Sequence, residues 1–183
     1  METVETVETD RLLLRPWRPD DVDALAILFA EPAVWWHPFR RGLTQEETER
    51  FVERQTEHLA THGFCMWAAE RKGERRLIGF IGLMVPAWLP EVLPAVEVGW
   101  RLHPDHWGRG LATEGAKACL HQGFEMLGLD RLISIFEPEN VASGRVMAKL
   151  GMRDFLTTED PRHRRPLQVR EITAEQWRAF KGT

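Results

Sequence analysis

The chain has 183 residues, 43% hydrophobic and 28% charged, with a formal net charge of −4. That length buries a proper core within one domain, and the proportions are those of an ordinary globular protein rather than a disordered one. The acidic balance argues against a nucleic-acid binder, which carries a basic stripe, and no apolar run approaches the ~18 residues of a membrane span.

The N-terminus carries no apolar signal core. Residues 1–9 read METVETVET, a short repeat expected to fray as a flexible tail, so the domain itself is expected over residues 10–183. Arg11 to Trp17 predicts a first strand, ended by Pro16 and Pro19. Asp20 then serves as an N-cap, and Val22, Leu25, Ile27, Leu28 and Phe29 follow at helical spacing. Glu31 to Gly42 is a loop that holds Trp35, Trp36, His37 and Pro38. Thr44 and Glu47 form a capping box for a second helix carrying Phe51, Val52, Gln55 and Leu59 and ending near Gly63.

Strands follow. Phe64–Arg71 and Arg76–Val85 flank a Lys72-Gly73 turn and predict a hairpin. Pro86 to Pro94 is a proline-rich loop with Trp88. Val96 to Leu102 alternates, with Val96, Val98 and Trp100 on one face and Glu97, Gly99 and Arg101 on the other. A helix is expected from about Leu111 to Leu127, capped by Gly128, with Ala112, Ala116, Leu120, Phe124 and Leu127 along one face. Arg131–Phe136 is a further strand. Asn140 caps a helix containing Val146, Met147 and Leu150 that stops at Gly151. A last strand pair lies near Met152–Leu156 and Leu167–Ile172, and Ala174–Phe180 is helical. The order predicts a mixed α/β domain on one central sheet of about seven strands, with about four main helices.

The densest signal is Val96 to Glu114, VEVGWRLHPDHWGRGLATE. A strand feeds a turn with Gly108 and Gly110, which opens a helix. The glycines let the backbone approach a ligand closely. The first helical amides have no internal partner and sit at the positive end of the helix. Together they make a place for phosphate. The dinucleotide pattern fails because Thr113 stands where its third Gly would be, and no Walker A sequence is present.

This segment, with RLLLRPWRPDD, HGFCMWA and EPENVASGRVMAKLGM in the same order, resembles the GNAT superfamily of N-acetyltransferases. Within it the chain is similar to the RimJ/RimL-like branch, whose namesakes acetylate the N-termini of ribosomal proteins. The resemblance runs from Arg11 to Trp177. It implies a GNAT fold in which acetyl-CoA lies at the splay between the fourth and fifth strands. The family's cofactor loop, Gln/Arg-x-x-Gly-x-Gly/Ala, falls on Trp107, Gly108, Arg109, Gly110, Leu111 and Ala112, with Trp107 departing from the pattern. The resemblance implies that amides from Gly108 to Thr113 hold the pyrophosphate and that the strand around Trp100, Arg101 and Leu102 pairs with the pantetheine and polarises the thioester. It also implies that Asn140 contacts the cofactor arm near sulfur. Many superfamily members protonate the leaving thiolate with a Tyr. This chain has no Tyr at all, so Ser143 is the candidate for that place.

Several residues keep two readings. Glu97 is the candidate base, or a salt-bridged strand Glu. Asn140 is a helix cap, a cofactor contact, or both. Ser143 aids the thiolate, or is a plain helix Ser beside a thiol that leaves unaided. Arg109 sits near phosphate, or is simply solvated. Trp35, Trp36, His37 and Trp88 border the expected acceptor mouth, though at least one Trp belongs to the core. His103 and His106 read as loop residues. His58 and His62 have a zinc-like spacing with no third ligand, so no metal is expected. Cys65 and Cys119 read as reduced core cysteines of a cytoplasmic protein.

The expected activity is direct acetyl transfer from acetyl-CoA to a primary amine, foremost a protein or peptide N-terminus. A small amine acceptor and a non-catalytic CoA-binding protein are the alternatives. The partner is the amine, with no nucleic acid and no membrane. The Trp-rich loops leave homodimerisation open.

Overall fold

The computed structural model describes residues 6–181. Eight strands form one sheet: β1 (Val7–Glu8), β2 (Leu12–Arg15), β3 (Met66–Arg71), β4 (Arg76–Met84), β5 (Val96–Leu102), β6 (Arg131–Phe136), β7 (Arg153–Glu159) and β8 (Pro166–Thr173). Their order is β1-β2-β3-β4-β5-β6-β8-β7. Every neighbouring pair is antiparallel except β5 and β6. A parallel pair needs a crossover, which α4 (Leu111–His121) supplies. The other helices are α1 (Asp21–Ala30), the single turn α2 (Trp36–Phe39), α3 (Gln45–His62), α5 (Val141–Lys149) and α6 (Ala174–Lys181).

The eighth strand is the difference from expectation. Val7 and Glu8 pair with Leu14 and Leu13, and Val7 is buried. Residues 6–9 are therefore held by the sheet edge rather than frayed, while residues 1–5 of the expected tail lie outside the described residues.

Both faces of the sheet are covered. On one, α4 and α6 cover a core that includes Leu12, Ile81, Val98, Leu120, Leu132 and Trp177. On the other, α1 and α3 cover Phe29, Trp35, Phe51, Met66 and Phe80. The first strand stops at Arg15, before Pro16, which has no amide to donate. Asp20 stands at the N-cap of α1 but its side chain makes no capping bond. Its neighbour Asp21 turns inward instead, accepts from Arg15 at 2.7 and 2.8 Å, and ties β2 to α1. Ile27, expected on the buried face, is 79% exposed. The capping box of α3 is formed: Glu47 N–H donates to Thr44 Oγ1 and Thr44 N–H to the Glu47 carboxylate.

The long helix expected to Leu127 changes character at its end. After His121 one π turn, Gln122–Met126, carries the chain to the Gly128 turn. Such a turn holds one residue more than an α turn. It seats Gly123 against Leu132, where a Cβ would lie 2.6 Å from Leu132 Cδ1. No helix among the described residues is long and apolar enough to cross a membrane.

Candidate active site

β4 and β5 pair along their whole length, from Gly79↔Leu102 to Met84↔Glu97. β5 and β6 pair only at Val96↔Leu132 and Glu97↔Ile133. Beyond that point the two strands part, and the backbone edge from Gly99 to Leu102 faces a cleft of about 1540 Å³. The N-terminus of α4, the start of α5, the 33–39 loop and the 160–163 turn complete its walls.

At one end the cleft is made of backbone. Gly108 and Gly110 have φ of 70° and 78°, the left-handed region that suits glycine. A Cβ at Gly108 would meet nothing within 4 Å, so the chain there is open to a ligand. The first internal bond of α4 is Glu114 N–H to the Gly110 carbonyl. The amides from Gly108 to Thr113 therefore find no acceptor among the described residues. This is the donor arrangement that takes a phosphate.

Glu114, in the first turn of that helix, would oppose an anion through its charge. It is bound instead by Arg11 Nε at 2.6 Å, by the Arg11 amide at 2.9 Å and by Thr9 Oγ1 at 2.6 Å. Burial works to raise the Glu114 pKa, but these bonds hold its carboxyl below the ordinary range. Arg11 also donates to the Arg109 carbonyl. Arg109 does not line the cleft; its part in the loop is that carbonyl. Trp107, at the first place of the loop motif, donates its indole N–H to the Leu102 carbonyl and fastens the loop to β5.

Asn140 caps α5, its Oδ1 accepting the Ser143 amide at 3.2 Å. This leaves the side-chain NH2 as the part of Asn140 able to act on a ligand. Asn140 and Ser143 both line the cleft.

The other end is made of side chains. On β5, Val96 and Val98 are buried in the core, whereas Glu97, Gly99 and Arg101 line the cleft. Glu97 lies where β5 and β6 part. Burial pushes its pKa up to about 7, against a backbone hydrogen bond from Ile135 and the charge of Arg101. A carboxyl so placed accepts a proton near neutral pH.

The loop residues do not share one role. Trp35 is core: its ring packs edge-on to Phe29 and Phe51 and lies under the Arg101 guanidinium. Trp36 is half exposed, with Arg40 over its ring. Trp88 lines the cleft and packs against the small core cluster that includes Leu89, Val92 and Ile133. His37 is held by Glu137, Nδ1 to Oε2 at 2.8 Å.

Glu137 is the residue that sequence reasoning missed. It is 5% exposed at the end of β6 and accepts from Arg40 at 2.6 Å as well as from His37. Arg165, from the turn between β7 and β8, stands 3.4 Å away and also donates to the Pro38 carbonyl. One buried carboxylate thus gathers the Trp-rich loop, β6 and the β7–β8 turn. Nothing in the linear order of EPEN marks it, because its partners lie at positions 37, 40 and 165.

Three further histidines hold backbone or lie buried, while His163 lines the cleft with Asp160, Nδ1 to Oδ2 at 2.9 Å. His58 donates from Nδ1 to the Phe64 carbonyl and accepts the Val85 amide on Nε2, which occupies both nitrogens. His103 caps the 104–106 turn and His106 is buried. Among the described residues no group of three or more His, Cys, Asp or Glu is placed to hold a metal ion.

The profile of the acetyltransferase (GNAT) domain family matches residues 11–153. YkkB, an uncharacterised protein of Bacillus subtilis, is 33% identical over 146 residues, covering 79% of this chain and 83% of its own. A GNAT-family acetyltransferase from Bacillus anthracis superposes with a TM-score of 0.77 at 26% identity, over 93% of this chain and 99% of that one. RimL, a ribosomal L7/L12 α-N-protein acetyltransferase solved with coenzyme A, superposes with a TM-score of 0.76 at 16% identity, over 92% and 98%.

Proposed function

The chain belongs to the GNAT family of acetyltransferases and is an acyltransferase, and from that we propose that it moves an acetyl group directly from acetyl-CoA to a primary amine. The observation that carries this reading is the run of unengaged amides from Gly108 to Thr113 beside a strand pair that opens around Glu97. The amides and the α4 N-terminus suit a diphosphate, and the open β5 edge suits an extended chain of amides. RimL, which shares the fold, was solved with coenzyme A.

Acetyl-CoA supplies an activated acyl thioester. The chain's residues do the rest. The β5 edge presents main-chain donors to the carbonyl oxygen, an arrangement in which each donor is worth about 3 kcal/mol. Glu97 takes the proton of the attacking amine, directly or through water. Ser143 and the Asn140 side-chain amide face the departing sulfur. A thiol of pKa ~8.5 leaves with little help, which suits a chain without Tyr.

Within the family we place the chain by the RimJ/RimL-like branch and read the acceptor as a protein or peptide N-terminal amine. An α-amine of pKa ~7.7–8.0 needs only a mild base, and Glu97 near 7 is one. A lysine-like amine near ~10.4 would ask for more.

A free-thiol assay with acetyl-CoA across peptides and small amines tests the reading. Amine-dependent thiol release is the expected result. Tight acetyl-CoA binding with no release for any amine would leave a CoA-binding protein instead. Direct transfer expects no acetyl label on the denatured protein during turnover; stable label would overturn it.

A further inference from the structure

The acceptor end contains a cation that no carboxylate touches: Glu97 and Glu137 act on Arg101 through their charge alone. Arg101 lies with its guanidinium 4.0 Å from the centroid of the Trp35 ring. It gives one N–H to the Val34 carbonyl. Its Nε is buried without an acceptor, and it makes no ion pair among the described residues. Other guanidiniums nearby are matched: Arg15 by Asp21 and Glu70, Arg40 by Glu137 and Glu139. The Glu137 oxygens are engaged by Arg40, Arg165 and His37 and give Arg101 no hydrogen bond. A desolvated charge left in this way is unfavourable until a ligand supplies the opposite one.

The geometry around it defines the ligand. Glu97 and Arg101 share a face of β5, and their Cα atoms stand about 13 Å apart at the rise of an extended strand. Gly99 lies between them. A Cβ there would stand 2.7 Å from Met66 Cε and 3.9 Å from Glu97 Oε1, so the glycine lets the flexible Met66 side chain lie against the strand between acid and guanidinium. Arg101 is on the acceptor side, while the phosphate-type donors lie beyond the end of β5, from Gly108 onward.

We propose that the acceptor carries a carboxylate besides its amine, and that Arg101 binds this carboxylate while the amine reaches Glu97. The inference rests on the acetyl-transfer reading. It describes a substrate held at two charged ends, such as an amino acid, a short peptide with a free C-terminus, or an N-terminal segment with an acidic second residue. A polyamine has no carboxylate to offer Arg101.

The test compares matched acceptors in the thiol-release assay. One arm sets amino acids and dipeptides against their C-terminal amides. A second sets C-terminally capped peptides with Asp or Glu at position two against their Asn or Gln counterparts, which separates the two sources of the carboxylate. In at least one arm the carboxylate member should be favoured by about 10- to 100-fold in kcat/KM, mainly through KM, the scale of one charged hydrogen-bonded contact. Arg101→Gln should erase that preference, Arg101→Lys should keep part of it, and both should bind acetyl-CoA with unchanged affinity. Should Arg101→Gln fail to fold, the wild-type pairs and Arg101→Lys still decide. Equal rates within every pair, or a preference that survives Arg101→Gln, overturn the inference and leave acetyl transfer standing. No thiol release from any amine, with acetyl-CoA bound, overturns both.

Discussion

The two ends of the cleft solve recognition with different materials. The loop end is main chain: amides from Gly108 to Thr113, a glycine turn and a helix terminus. The acceptor end is side chains, with Glu97 and Arg101 on β5, Glu137 on β6, His37 and Arg40 on a loop and Arg165 on a turn. Main-chain donors tolerate many side chains but few backbone shapes. A side-chain pocket tolerates loop variation but fails when one charge loses its partner. Substitutions at the two ends should therefore fail differently.

Glu97→Gln gives the largest effect on rate. It should lower kcat/KM by about 100-fold or more and remove the rise in rate through about pH 7 that the Glu97 proton produces. Its effect on stability has the opposite sign. The native Glu97 pKa lies above the ordinary 4.5, so the native state holds a proton that the unfolded chain releases between about pH 4.5 and 7. Wild-type stability falls as pH rises through that window. The variant does not titrate there, and its Tm should exceed that of wild type at pH 8, with the gap closing at low pH. Thermal melts at both pH values check this, and an unchanged profile would return Glu97 to the structural reading.

Next is Glu137→Gln. Removing the shared carboxylate leaves Arg165 unmatched and Arg40 with only the exposed Glu139, and should destabilise by about 2–3 kcal/mol in denaturant titration. The acceptor KM should rise while acetyl-CoA affinity holds. Equal losses for both ligands would show that the two ends are one mechanical unit.

Gly110→Val probes the other end. A β-branched residue at φ 78° is strained. Calorimetry should find acetyl-CoA affinity about tenfold weaker, with the acceptor KM little changed. Arg11→Met is milder, because Arg11 is 46% exposed. It frees the Glu114 charge beside the proposed phosphate site, so the acetyl-CoA KM should rise about threefold and the effect should fade at high salt.

The smallest effect belongs to the thiols. Burial pushes Cys65 up to about 12 and Cys119 higher still. Alkylating reagents should leave native activity intact, whereas inactivation under native conditions would implicate a thiol.

The same contrast explains what the sequence makes legible. The helices, the hairpin, the alternation of β5 and the glycine turn are local patterns, and residues within a few positions set them. The strand at Val7–Glu8 escapes because two residues carry no period; the burial of Val7 comes from β2, and Thr9 reaching Glu114 holds the segment in place. The π turn after His121 escapes because the apolar spacing of Phe124 and Leu127 fits a continuous helix. Packing against Leu132 decides otherwise. The free amides of the 108–113 turn are legible since glycine betrays them. Glu137 and the orphaned Nε of Arg101 are not, because their meaning comes from partners up to a hundred positions away.

That carboxylate also ties the cleft to the end of the chain. The Trp-rich loop cannot be fully anchored before Arg165 arrives, and the core beneath α4 closes only with Ile172 and Trp177. A chain cut before β8 would lose the anchor of one end and the support of the other together, so neither half of the cleft is finished until the C-terminal strands and helix have docked.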